Sequence, residues 1–202
     1  MQLIFIWAEK LARGCGWFAL CVGVGLGGVF GGFFQQGASF DIALTHQVLS
    51  QVLFGHLPTF FVSAFVLLRV SFQLSTDEQT RTEWTQGEQA LAYAMGCAIV
   101  CVMTWTWFFL STMLGFGLGM MQTLGGDALP AWDAFWFDFD LHQLAHAAFR
   151  MTLMACALSL MTFIEISFMR TRRHQLAILM SRFMTVGMVM LVGIELLDIT
   201  LT

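Results

Sequence analysis

Asp138, Asp140, His142 and His146 are side chains of metal-ligating type gathered within nine residues, and His142 and His146, at i and i+4, share one helix face. Two histidines facing each other across a bundle can also ligate haem, with His56 or His46 as the partner from another segment. No H-E-x-x-H motif accompanies them, so polar histidines at a membrane interface remain the plain alternative. The other groups able to do chemistry are charges inside apolar runs: Arg150, one turn after His146, then Glu165, Glu195 and Asp198. An ionisable group surrounded by lipid is costly and reads as functional by default. Arg150 can pair with Glu195 or Asp198 as a structural ion pair, or its planar guanidinium can hold the phosphate of a lipid headgroup. Glu165 lies within snorkelling reach of the basic cluster Arg170–Arg173. Cys15, Cys21, Cys97, Cys101 and Cys156 are odd in number and all sit in apolar runs, which suits helix packing and no disulfide framework.

These groups belong to a chain of 202 residues that is 58% hydrophobic and only 11% charged, with a mean hydropathy of +0.76. A soluble domain carries roughly 25% charged residues, so an ordinary water-exposed surface is excluded. The net charge of −4 argues against nucleic acid, which requires clustered Lys and Arg. An all-α integral membrane protein follows, with residues 1–202 as a single domain.

About 20 apolar residues cross a bilayer. Five runs meet that need: Gly14–Phe34, Val48–Phe72 with an interruption at Pro58, Ala90–Gly115 extending toward Met121, His146–Met169, and Leu176 to the C-terminus. Residues 1–13 are too short to span and lack the charge order of a secretory signal. They read as an amphipathic helix lying in the interface. Of the nine basic residues, all but Arg150 fall in segments assigned to one side, which predicts the N-terminus in the cytoplasm and the C-terminus outside.

Gly23, Gly27 and Gly31 recur at i, i+4 and i+8, a spacing that lets helix backbones approach closely in lipid. The same stretch matches G-x-G-x-x-G, but inside an apolar span there is no strand or soluble helix start to hold a dinucleotide. Trp132, Phe135, Trp136 and Phe139 form an aromatic stripe beside Asp133 and Asp138. That pattern fits an outer interfacial helix, either an aromatic belt or a gate over a lateral lipid entrance. Fourteen methionines add pliable apolar surface.

In chain order, these pieces resemble the MlaE/YrbE permease family, the membrane subunits of MCE-linked ABC lipid transporters. Gly28-Val29-Phe30-x-Gly32 followed by Gln36-Gly37 is similar to the family's G-V-F-x-G…Q-G. The run Val48–Leu74 resembles its L-x-x-E-L-G-P…F-A-G-R-x-G-S-A-L segment, with Pro58, Phe65, Arg69 and Leu74 at the matching positions and His56-Leu57 where the family has Glu-Leu-Gly. Leu144…Arg150 resembles the basic opening of its fourth span, and Ser181-Arg182 through Glu195 its A-T-T-R…D-F-x-x-T ending.

The resemblance implies an inner-membrane subunit that moves phospholipid or a related lipid toward a periplasmic MCE-domain protein. It also implies a homodimer or heterodimer of permeases, and an ABC ATPase partner that hydrolyses the ATP. It implies no cofactor and no catalysis by this chain. Arg69, Arg150 and Glu195 would be polar contacts for the lipid headgroup, and Glu78, Glu83, Trp84 and Glu88 would form the loop that touches the ATPase. A haem- or metal-binding redox subunit and a non-transporting assembly subunit are the alternatives.

The topology has a direct check. Single cysteines at residue 127 or 133 should react with a membrane-impermeant maleimide from outside, and those at residue 81 or 172 only from the cytoplasm; the reverse pattern overturns the assignment.

Overall fold

The computed structural model describes residues 2–38, 52, 55–76, 87–124, 141–171 and 176–201. The described residues form six helices: α1 (Gln2–Ala12), α2 (Cys15–Ala38), α3 (Leu57–Thr76), α4 (Gly87–Leu124), α5 (Leu141–Thr171) and α6 (Leu176–Leu201). No strand occurs among the described residues. Among the described residues, three stretches are long and apolar enough to cross a membrane: Cys15–Phe33, Ala90–Leu124 and Leu144–Ile166. Leu57–Gln73 is a shorter apolar helix.

Local sequence explains several boundaries. Gly14 ends α1 with φ at +94°, a left-handed conformation that glycine adopts without strain. Pro58 sits in the first turn of α3, where a missing N–H costs no helical bond, so the helix described for the second apolar run starts at Leu57, beside the proline. The third run continues past Gly115 to Leu124, and its glycines remain helical. At about 1.5 Å per residue, α4 measures about 57 Å, well beyond a hydrocarbon core of about 30 Å.

The chain divides into two compact units. The first comprises Met1–Cys15, Phe60–Met103 and Met151–Thr202. Its core is built from Trp7 and Leu11 of α1, Val62, Val66 and Val70 of α3, Tyr93 and Cys97 of α4, Met154 and Leu158 of α5, and Phe183 and Leu191 of α6. Helix α1 is two-faced. Trp7, Ala8 and Leu11 are buried, whereas Leu3, Phe5 and Ile6 stay exposed. Gly96 of α4 receives it: a Cβ there would lie 3.1 Å from the Ala8 backbone nitrogen and 3.3 Å from the Trp7 Cβ. Hydroxyls link the remaining helices through thioethers. Ser63 donates to the Met154 sulfur at 3.4 Å, and Ser71 to the Met184 sulfur at 2.8 Å.

The second unit comprises Gly16–Thr59 and Thr104–Arg150. Here α2 lies against α4, glycine to backbone. A Cβ on Gly27 would fall on the Thr112 carbonyl and 2.7 Å from the Phe116 nitrogen; one on Gly31 would fall on the Phe116 carbonyl and 3.0 Å from the Met120 nitrogen. Gly23 meets Ser111 and the Phe108 carbonyl in the same way. The fit is reciprocal, because a Cβ on Gly115 would lie 2.7 Å from the Val24 Cα and one on Gly119 3.1 Å from the Gly28 Cα. Ser111 adds a polar stitch, donating its hydroxyl to the Ala19 carbonyl at 2.7 Å. In lipid, apolar burial cannot drive helices together, so this close contact supplies the dispersion and dipolar attraction that does.

The obstructing atoms are backbone and cannot swing aside. Gly27→Leu and Gly31→Leu should therefore sharply reduce the yield of folded protein in membranes. Gly25→Leu, where nothing lies within 4 Å, should leave it near the native level. Equal yields from all three variants, read by size-exclusion chromatography in detergent, would show that the α2–α4 contact is dispensable.

Candidate functional site

The chemistry-bearing residue held most closely is Arg150, on α5. It is 4% exposed, and its Nη1 stands 2.6 Å from Nδ1 of His56. A guanidinium carries no lone pair, so it donates and the imidazole Nδ1 accepts, which leaves the His56 proton on Nε2. His56 lies in the wide turn that leads into α3. Thr59 ties that turn down, its hydroxyl donating to the carbonyls of Gly55 at 3.1 Å and His56 at 2.8 Å. A Cβ on Gly55 would sit 3.5 Å from Arg150 Nη2, so the backbone of this turn lines the guanidinium. An imidazole in this role accepts a hydrogen bond without cancelling the arginine's charge.

The other sequence candidates are distributed differently. Arg69 and Glu195 belong to the first unit and Arg150 to the second. Arg69 is half-buried on α3, and its Nη2 donates to the Arg13 carbonyl at 3.0 Å. Glu195 is buried on α6. Glu165 is also buried, and it meets Arg182 of α6, whose Nε stands 3.7 Å from Oε1, while Oε2 is enclosed without a hydrogen-bond partner. Gly23, Gly27 and Gly31 face α4 as described above. Glu78, Glu83 and Trp84 lie outside the described residues, as do Asp127, Asp133, Asp138 and Asp140. Glu88 falls in the first turn of α4.

His142 is exposed and His146 half-buried. Among the described residues no group of three His, Cys, Asp or Glu side chains converges on a point where a metal could sit. The five cysteines are free thiols; Cys15, Cys97 and Cys101 are buried and Cys21 and Cys156 exposed.

Sequence reasoning did not foresee the contact of His56 with Arg150, because it weighed His56 as a haem or metal ligand and at the family's Glu-Leu-Gly position and looked to carboxylates for Arg150. The sequence reading assigned His56 to a different depth and loop from His142 and His146, which hid the contact. Gln73 and Tyr93 were missed as well. Tyr93 lies inside an apolar run and Gln73 directly after one, and nothing in their spacing names a partner.

Comparison with family models, curated proteins and solved structures finds no match to this chain.

His56→Ala should destabilise the protein by about 1.5–3 kcal/mol, the usual worth of a hydrogen bond to a charged group. His56→Asn, whose side-chain oxygen can accept from the same nitrogen, should recover most of that loss in thermal unfolding in nanodiscs.

Proposed function

We propose that this chain is the permease subunit of an MCE-type ABC transporter of the bacterial inner membrane, moving phospholipid or a related lipid. In this reading it has five spans and an interfacial N-terminal helix, with the N-terminus in the cytoplasm. The ordered resemblance to the MlaE/YrbE permeases across residues 20–75 and 140–200 supports it, together with helices of membrane-crossing length and apolarity.

The observation that carries the proposal is the Arg150–His56 contact, a guanidinium held between helices in a chain otherwise fit for lipid. A diacyl lipid needs an apolar chamber for its tails and one directed cationic donor for its phosphate. The planar, permanently charged guanidinium is that donor, and its fork matches two phosphate oxygens at once. His56, as a neutral acceptor, holds the fork in place until a phosphate replaces it. This chain performs no covalent step; a partner ATPase hydrolyses the nucleotide, and an MCE-domain protein receives the lipid outside. Two copies, or one copy and a paralogue, enclose the chamber.

Nucleotide-driven motion reaches the spans only through contacts that differ between the two states. The acidic segment with Glu78, Glu83, Trp84 and Glu88 supplies those contacts, with Trp84 as the anchor among charges. Reversal of Glu83 and Glu88 together to Lys should lower ATPase co-purification and lipid transport at least several-fold while the folded protein persists. Unchanged co-purification would reduce the chain to an assembly subunit, and a Soret band in the purified complex would replace the transporter reading with a redox one.

A further inference from the structure

Helix α1 is held by more than its apolar face. Its last turn exposes carbonyls with no helical partner, the negative end of the helix dipole, and two side chains of α3 reach them. Arg69 Nη2 donates to the Arg13 carbonyl at 3.0 Å, and Gln73 Nε2 donates to the Lys10 carbonyl at 3.1 Å. The two donors stand one turn apart on the same face of α3. Tyr93 of α4 fixes the second of them: its hydroxyl donates to Gln73 Oε1 at 3.3 Å, which turns the amide nitrogen toward α1. The Tyr93 ring packs edge-on against Trp7 with centroids 5.4 Å apart, and Lys10 Nζ caps the Trp7 ring from 4.7 Å. Arg69 Nε is enclosed without a partner, so the Nη2 bond is what orients the guanidinium.

We infer that Arg69 and Gln73 form a clamp that joins the end of α1 to the last turns of α3, so that the two move as one body. Arg69 is then a positioning residue for α1 rather than a contact for lipid. The consequence is mechanical. Helix α3 ends at Thr76, directly before the acidic segment 77–86, and α1 carries the exposed apolar edge Leu3, Phe5 and Ile6. A push on the segment after α3 therefore tilts that edge. The clamp itself stands whether or not the chain is a lipid permease, because it rests on α1, α3 and α4 alone.

The test uses nitroxide labels in the full chain in nanodiscs, with Cys21→Ser and Cys156→Ser removing the exposed thiols. A label at residue 5 should report a helix moving with the bundle, and Arg69→Met with Gln73→Ala should add a clearly mobile component to its spectrum. Arg69→Lys, which keeps a donor, should restore the native spectrum, and a label at residue 189 on α6 should not change in any variant. An unaltered spectrum at residue 5 in the double variant would overturn the clamp and leave the packing of the buried face of α1 to hold it. A second measurement needs no change at the clamp: labels at residues 5 and 72 should give one narrow distance distribution, and a broad one would overturn the inference even if the double variant failed to fold. Loss of the clamp with ATPase co-purification intact would separate this inference from the proposed function.

Discussion

Lipid tails are as apolar as leucine, so helices in a membrane gain little by burying leucines against one another. What remains is the attraction between atoms that come unusually close, and α2 and α4 obtain it by removing side chains. Gly23, Gly27 and Gly31 on one helix and Gly115 and Gly119 on the other let each backbone enter the space a Cβ would fill. The second compact unit depends on this contact. It also explains why Gly115 and Gly119 do not end α4: they are needed for approach, and the helical hydrogen bonds of a span in lipid have no water to replace them.

The same scarcity of water shapes the polar residues. Several hydroxyls in the described helices turn back to their own backbone, as Thr112 does to the Phe108 carbonyl at 2.8 Å and Thr162 to the Leu158 carbonyl at 2.7 Å. Others reach across to a neighbouring helix, and these mark the joints: Ser111 to α2, Ser63 to α5, Ser71 to α6. Individually such bonds are worth about 1 kcal/mol or less in a membrane. Their role is to choose one register among several apolar packings that differ little in energy.

Charges follow a stricter rule, since each needs a directed partner inside the bundle or a route to water. Arg150 has the imidazole of His56 and the turn before α3 around it. Glu165 has Arg182, whose side chain is 58% exposed and so remains partly solvated while it faces the buried carboxylate. Arg69 has the carbonyl end of α1. Two of these three contacts are made to groups other than carboxylates. Backbone carbonyls and a neutral imidazole orient a cation without the double desolvation that a buried ion pair demands.

Composition pointed to lipid, because 11% charge cannot dress a water-facing surface, and apolar runs of about 20 residues, twice the length of a barrel strand, pointed to helices. The four-residue glycine period likewise marked which face of α2 is narrow. Sequence could not say that this face meets Thr112, Phe116 and Met120, since any helix with a matching groove satisfies the same period. Nor could it say that Arg150 finds His56, Glu165 finds Arg182, or that Arg69 caps α1. Helical periodicity specifies the direction of a side chain about its own axis, whereas the identity of the atom it reaches depends on how far each helix slides and turns against its neighbours, and only the tertiary packing decides that.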